Sequence, residues 1–455
     1  MVYLHRTTSR GRRAPALAAL SAAALALGAA LVPTASAGAA TAPVQVGLFG
    51  AQDPTYDGVF RQSLALLAYS AADATPPPAA VTWLLEQRCA DGGFQAFRAS
   101  TAVACQQSDP ATYSGEDTNS TGIAAAALRV IGRTAAADKA LAWVLAAQRS
   151  DGGFPYFVGG DSDANSTAVV LFGTNTAGRA PSSVQKGGAS AAHFLESLQI
   201  GCEGVATDDD GGFAFQSYGG PLVDSDAAAV QATLALSGSA LPVKAGPVVV
   251  DAPRATCPSS GSPTLTPAQL GAGHLARLID AFGAVPQFDF GSGNRIPGSV
   301  STGDTAWAAL SLAAVGVGRT QLDAALAAVT AQPLKAASVR RAGTASPAAT
   351  KATDQPGLLA LAALATSAAG DDHSVVTGYV ARLGATIRVA PAAASPTPSE
   401  SGSTSASATS GTDASAPLAQ SGPTSLTPAL GAVGGLLVLL GTGAVASTRR
   451  RGAHA

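Results

Sequence analysis

The chain has 455 residues, 12% of them charged, with a formal net charge of −2. That balance offers no basic footprint for nucleic acid. Aromatic residues make up only 5%, while Ala and Gly dominate, as in tightly packed helices with small residues at their contacts.

Residues 1–37 read as a secretory signal. Arg6, Arg10, Arg12 and Arg13 precede an apolar run over 16–32, and Ala35-Ser36-Ala37 is a small-residue cleavage site. Arg12-Arg13 followed by Ala-Pro fits a twin-arginine signal poorly, so the general export route is expected. A short lead over 38–50 follows.

From residue 51 a repeating sentence begins: an apolar helix, a glutamine, a glycine turn, an aromatic plug. Trp83…Gln87 leads to Asp91-Gly92-Gly93-Phe94, and Trp143…Gln148 to Asp151-Gly152-Gly153-Phe154. After an insertion, Phe194…Gln199 leads to Asp210-Gly211-Gly212-Phe213. The period is about sixty residues, the mark of an array of supersecondary units. Between these corners a second helix is announced by acceptor side chains that can hold the free amides of a first turn. These starts are Asp117-Thr118-Asn119, Asp163-Ala164-Asn165, Asp224-Ser225-Asp226, Gly303-Asp304-Thr305 and Asp354-Gln355-Pro356, with a degenerate copy at Asp57-Gly58. The pattern predicts an all-α chain of about six helical hairpins. Residues 241–266 and 333–353 read as loops inside the array, which ends near Arg388.

Cys89, Cys105, Cys202 and Cys257 are an even set in a chain that reads as exported, so two disulfides are expected. Three pairings are open. The nearest-neighbour one, Cys89–Cys105 with Cys202–Cys257, would staple the first corner and the long insertion. No Cys-x-x-Cys is present to favour zinc, and no cofactor is expected.

Residues 390–425 are nearly all Ala, Ser, Thr, Pro and Gly, a composition that predicts a mobile stalk. Leu418-Ala419-Gln420-Ser421-Gly422, an uncharged run over 426–446 and Arg449-Arg450-Arg451 close the chain. The run is long enough to cross a bilayer, with the 447–455 tail cytoplasmic.

Lys139-Ala140, Trp143-Val144-Leu145, Gln148 and Gly152-Gly153-Phe154 resemble the repeat of the terpenoid cyclase and protein prenyltransferase superfamily. The resemblance implies an α/α toroid over 38–389, in which inner and outer helices alternate around a central cavity and the inner helices begin at its open mouth. The C-terminal arrangement resembles a cell-wall sorting signal of high-GC actinobacteria, with Ser421 where the Leu-Ala-x-Thr-Gly form has Thr. It implies a sortase-type transpeptidase and peptidoglycan as partners, a membrane helix, and display on the surface of a Gram-positive cell.

For function, the sequence favours a non-catalytic ligand-binding or adhesion module. Its site would be the mouth lined by Asp117, Asn119, Asp163, Asn165, Asp226 and Asp304, and its partner an unidentified small molecule or surface. Each of these side chains has a plain alternative as a helix cap. The competing reading is a terpenoid-cyclase-like, prenyltransferase-like or glycan-active enzyme. Asp161-Ser162-Asp163-Ala164 and Asp224-Ser225-Asp226-Ala227 stop one carboxylate short of the cyclase Asp-x-Asp-Asp acid, and Asp208-Asp209-Asp210 is expected to face solvent. Asp117 with Asp163, or Asp226 with Asp304, offers a carboxylate pair for glycoside hydrolysis. His193, His274 and His373 lie on or beside helices without a cysteine and read as surface or packing residues. Gly201-Cys202-Glu203-Gly204 lacks the Gln of a thioester.

Overall fold

The computed structural model describes residues 45–201, 208–253, 265–289, 294–332, 334–336 and 353–390. Helices fall in six consecutive pairs. They are α1 (Gly58–Ala71) and α2 (Pro78–Gln87), α3 (Thr118–Val130) and α4 (Thr134–Ala146), α5 (Ala164–Thr176) and α6 (Ala191–Ser197). Then come α7 (Asp226–Leu236) and α8 (Pro267–Phe282), α9 (Thr302–Val315) and α10 (Arg319–Thr330), α11 (Pro356–Ala368) and α12 (His373–Gly384). Four two-stranded antiparallel ribbons, which the all-α expectation did not include, sit in the connections. These pair β1 (Phe154–Pro155) with β2 (Ser162–Asp163), β3 (Gln185–Lys186) with β4 (Ala189–Ser190), β5 (Gln287–Asp289) with β6 (Asn294–Ile296), and β7 (Lys335–Ala336) with β8 (Thr353–Asp354).

The contacts between helices define the architecture of this repeat domain. α1 packs on α3, α3 on α5, α5 on α7, α7 on α9, α9 on α11, and α11 returns to α1. Each remaining helix packs outside the one before it. The domain is therefore an α/α toroid with an inner and an outer layer. Sequence chemistry explains the sorting. The inner helices carry Ala, Val and Leu on every side and are buried all round, as along Ala164–Asn175 of α5. The outer helix α4 buries only Ala136, Ala137, Ala140, Leu141 and Val144, a stripe at helical spacing. Glycines set the closest inner crossing: a β-carbon at Gly173 would lie 2.7 Å from the Gly122 carbonyl oxygen.

The corner motif does more than end a helix. α4 stops at Ala146, before the glycines, and Asp151 Oδ1 accepts the Gly153 amide at 2.9 Å. The first glycine of each corner presses on the next outer helix or its cap: a β-carbon on Gly92, Gly152 or Gly211 would stand 2.6, 2.4 or 2.4 Å from the carbonyl oxygen of Lys139, Ser190 or Leu270. In the second and third corners the motif glutamine ties the same joint. Gln148 Nε2 donates to Gly152 O and Val184 O, and Gln199 Nε2 to Gly211 O and Pro267 O.

The ring closes where the described repeat domain begins and ends. Gly47 N donates to Arg388 O at 2.8 Å, Arg388 N to Leu48 O at 2.9 Å, and Phe49 bridges Ile387. The expected central cavity is filled. Phe172 of α5 and Trp307 of α9 come from inner helices separated by α7, and their rings stack at 5.3 Å with 17° between planes. Both are fully buried. Composition favours this: small residues on the inner helices permit close approach, and the Phe172–Trp307 stack occupies space between them.

Candidate functional site: the mouth of the ring

The inner helices begin at one end, and the expected mouth residues gather there. Asp117 caps α3, its Oδ1 accepting the Ser120 amide at 2.6 Å. Asp163 caps α5 in the same way, with Ser166 N and Oγ each at 2.7 Å. The backbone around both caps repeats: Phe94 N donates to Thr121 Oγ1 and Phe154 N to Thr167 Oγ1. The third and fourth starts are shifted from the sequence expectation. Ser225 is the cap of α7 and Asp226 its first residue. α9 begins at Thr302, so Asp304 lies inside it and accepts from Ser301 Oγ at 2.6 Å. A serine one to three residues earlier takes the capping position, and the aspartates are left to side-chain partners.

Asp117, Asn119, Asp163, Asn165, Asp226 and Asp304 are all buried. Asn165 reaches sideways from α5 to α7, donating to Ala227 O and Gln231 Oε1. Burial pushes the carboxyls of Asp117, Asp163 and Asp304 up to about 7, against the pull of their local hydrogen bonds. Asp117 Oδ2 has no hydrogen-bond partner. Glu116, beside it, rises to about 8, first through burial and then through its bond to Asp91.

Over these acids lies an aromatic surface that the sequence reading missed. Burial, and after it the charges of Asp117 and Asp163, raise the Tyr156 phenol well above the usual range. Its ring meets Phe157 edge-on at 4.6 Å, and Phe157 meets Tyr113 edge-on at 6.2 Å. Tyr113 is exposed and held at φ 50° in a turn. Asp109 braces that turn by accepting from Ala111 N and Thr112 Oγ1. On the other side, Tyr218 is exposed near Asp163 and Asp161, its hydroxyl donating to Gln216 Oε1 at 2.9 Å. Single tyrosines in loops carry no periodicity, so nothing in the sequence placed them on one face.

The third repeat holds a second polar cluster. The Arg295 guanidinium, presented by β6, bonds both Asp226 oxygens and Asp224 Oδ2, with Asp209 Oδ1 at 3.7 Å. Its bonds to Asp226 hold its pKa above the ordinary range. Of the surface and packing alternatives, His274 of α8 takes the buried one, its Nε2 3.4 Å from Asp224 Oδ2. Asp210, expected to face solvent, is also buried, and its carbonyl accepts from Arg277. Asp224, Asp226 and His274 bring ligand-capable atoms within 4.8 Å of one another. The grouping of Cys89, Cys105 and Glu116 offers no thiolate, because Cys89 and Cys105 form a disulfide, as nearest-neighbour pairing anticipated. Cys202 and Cys257 lie outside the described residues, as do the signal segment, the stalk, Leu418–Gly422 and the run over 426–446. Among the described residues no helix is long and apolar enough to cross a membrane.

No protein-family model matches the chain, and no curated protein matches it in sequence. Among solved structures it is similar to ent-copalyl diphosphate synthase from Streptomyces platensis, at 17% identity and a TM-score of 0.40 over 69% of this chain and 50% of that one. It is similar to a protein from Actinoplanes at 18% identity and a TM-score of 0.29, over 59% of this chain and 80% of that one. The type II terpene cyclase MstE from Scytonema gives 13% identity and a TM-score of 0.35, over 59% and 67%. The chain thus spans half the length of the synthase. The toroid rests on its own helix contacts; these likenesses carry no argument about activity.

Proposed function

We propose that the protein is an exported ligand-binding module that grips a sugar-bearing surface ligand on the mouth of the ring rather than inside it. One observation carries this reading. Every aromatic side chain more than a third exposed among the described residues, namely Tyr56, Tyr113, Tyr218, Phe282 and Phe288, lies in a segment leading into an inner helix or at the end of the outer helix before it. Exposed aromatic faces take the C–H faces of sugar rings, and neighbouring Asp, Gln and Ser side chains take hydroxyls. The filled axis favours surface binding over enclosure of a polyprenyl chain. The Cys89–Cys105 disulfide supports an oxidising compartment, in keeping with the signal segment. The C-terminal motif and apolar run support tethering to peptidoglycan or membrane on a cell surface.

The test is retention on purified cell-wall glycan and a glycan array. The Tyr113→Ala/Tyr218→Ala double variant should bind at least tenfold more weakly with unchanged thermal unfolding. Equal retention by the double variant and the parent would end the proposal.

A second reading, a terpenoid-cyclase-like or glycan-active enzyme, has one observation in its favour. Asp117, Asp163 and Asp304 have pKa values near 7 and can hold a proton at neutral pH, as a buried general acid must. Turnover of a polyprenyl or glycan substrate that disappears in Asp117→Asn would select this reading.

A further inference from the structure

The three corners of the ring are built alike, and a comparison among them isolates one that has been rebuilt. In each, the first glycine presses on a carbonyl of an outer helix or its cap, from Lys139, Ser190 or Leu270. The outer-helix residue four positions on faces the corner. It is Trp143 in the first copy and Phe194 in the second, both packed against the second glycine. In the third it is His274. The residue before the helix cap also changes. It is Glu116, bridged to Gln95, then Ser162, paired with Pro155, then Asp224, bridged to Ala214. The residue after the cap runs Thr118, Ala164, Asp226. An aromatic packing position has become a buried imidazole, flanked by a carboxylate on either side of the cap.

The local bonding is incomplete in a specific way. His274 Nδ1 lies 3.2 Å from the Asp208 carbonyl oxygen, which can only accept, so the proton sits on Nδ1. Its Nε2 faces Asp224 Oδ2 at 3.4 Å. Both Nε2 and Asp224 Oδ1 are buried without a hydrogen-bond partner. A backbone carbonyl fixing the far nitrogen of a histidine is the usual outer support of a metal-ligating imidazole. Asp209, Asp224 and Asp226 converge on the single guanidinium of Arg295, a carboxylate-rich setting for a cation.

We propose that Asp224, Asp226 and His274 form a binding site for a divalent cation of the zinc type, with the Arg295 guanidinium holding the ion's place until it binds. One imidazole and two carboxylates suit such an ion. Ligands at ~2.0–2.2 Å from one centre stand closer together than the 4.8 Å that contains these atoms. Closure therefore takes side-chain rotation as Arg295 withdraws, and binding releases the β5–β6 ribbon from the mouth. The zinc titration reads the metal directly, so its outcome stands apart from that of the glycan-retention test.

The experiment is zinc titration by calorimetry of the chelator-treated full chain, with metal content checked by mass spectrometry. One equivalent per chain is expected. Asp224→Asn and His274→Gln should weaken binding at least tenfold, Arg295→Gln should tighten it, and His193→Gln on the exposed face of α6 should leave it unchanged. No zinc bound by either the parent or Arg295→Gln would overturn the proposal, and so would parent-like binding by His274→Gln. If the histidine variant fails to fold, nitrogen NMR of the parent decides. A His274 ring carrying both protons above about pH 8 is an ion pair with Asp224 and leaves no ligand for a metal.

Discussion

Asp163 is pulled two ways. The Ser166 amide and hydroxyl favour its carboxylate, burial favours the acid, and burial prevails at about 7. Since the unfolded value is near 3.8, the folded chain holds the proton more tightly than the unfolded one. The stability this gives is complete below about pH 4 and is lost as pH rises through about 7. Asp117 and Asp304 share that sign, and Glu116 extends it to about 8. The domain should resist urea better at about pH 5.5 than at about pH 8. Asp163→Asn keeps an oxygen for the Ser166 amide, since Asn caps as well as Asp, and should flatten part of that slope. A slope as steep in the variant as in the parent would contradict the assignment. The sequence shows an acceptor before a helix; it does not show how deeply the acceptor is buried, and depth is what moves the proton. For the same reason Asp226 and Asp304 read as caps in the sequence although a nearby serine holds the capping position.

At the scale of elements, the corner is the unit that joins one hairpin to the next. Its glycine has a positive φ of 89° at Gly152 and touches the Ser190 carbonyl, and its glutamine bonds the residues on both sides of the joint. Gly152→Ala adds a methyl where a β-carbon would be 2.4 Å from that oxygen. It should lower unfolding stability by about 1–3 kcal/mol in denaturant titration, whereas Gly178→Ala, at a positive φ but with nothing within 4 Å of an added β-carbon, should cost less. The repeat itself was legible because Asp-Gly-Gly-Phe recurs at a steady interval. What the glycines press against was not, since the contact joins residues some forty to sixty positions apart.

At the scale of the molecule, the number and order of helices were readable from alternating apolar stripes and start signals. The filled axis was not. It depends on how closely the inner helices approach, a collective result rather than that of any one motif. Trp307→Ala would remove one half of the Phe172 stack. It should cost about 3–5 kcal/mol, and the opened axis should take up a small apolar molecule such as benzene, raising the variant's melting temperature but not the parent's. The join between Leu48 and Arg388 has a further outcome. Because the last hairpin docks on the first, the repeat count is a closed number: a duplicated hairpin would have no free flank to stack upon, unlike in a linear solenoid. Where the chain is cut matters less than that all the units are present, so a circular permutant that links residue 390 to residue 45 and opens at the Gly178 turn should still fold.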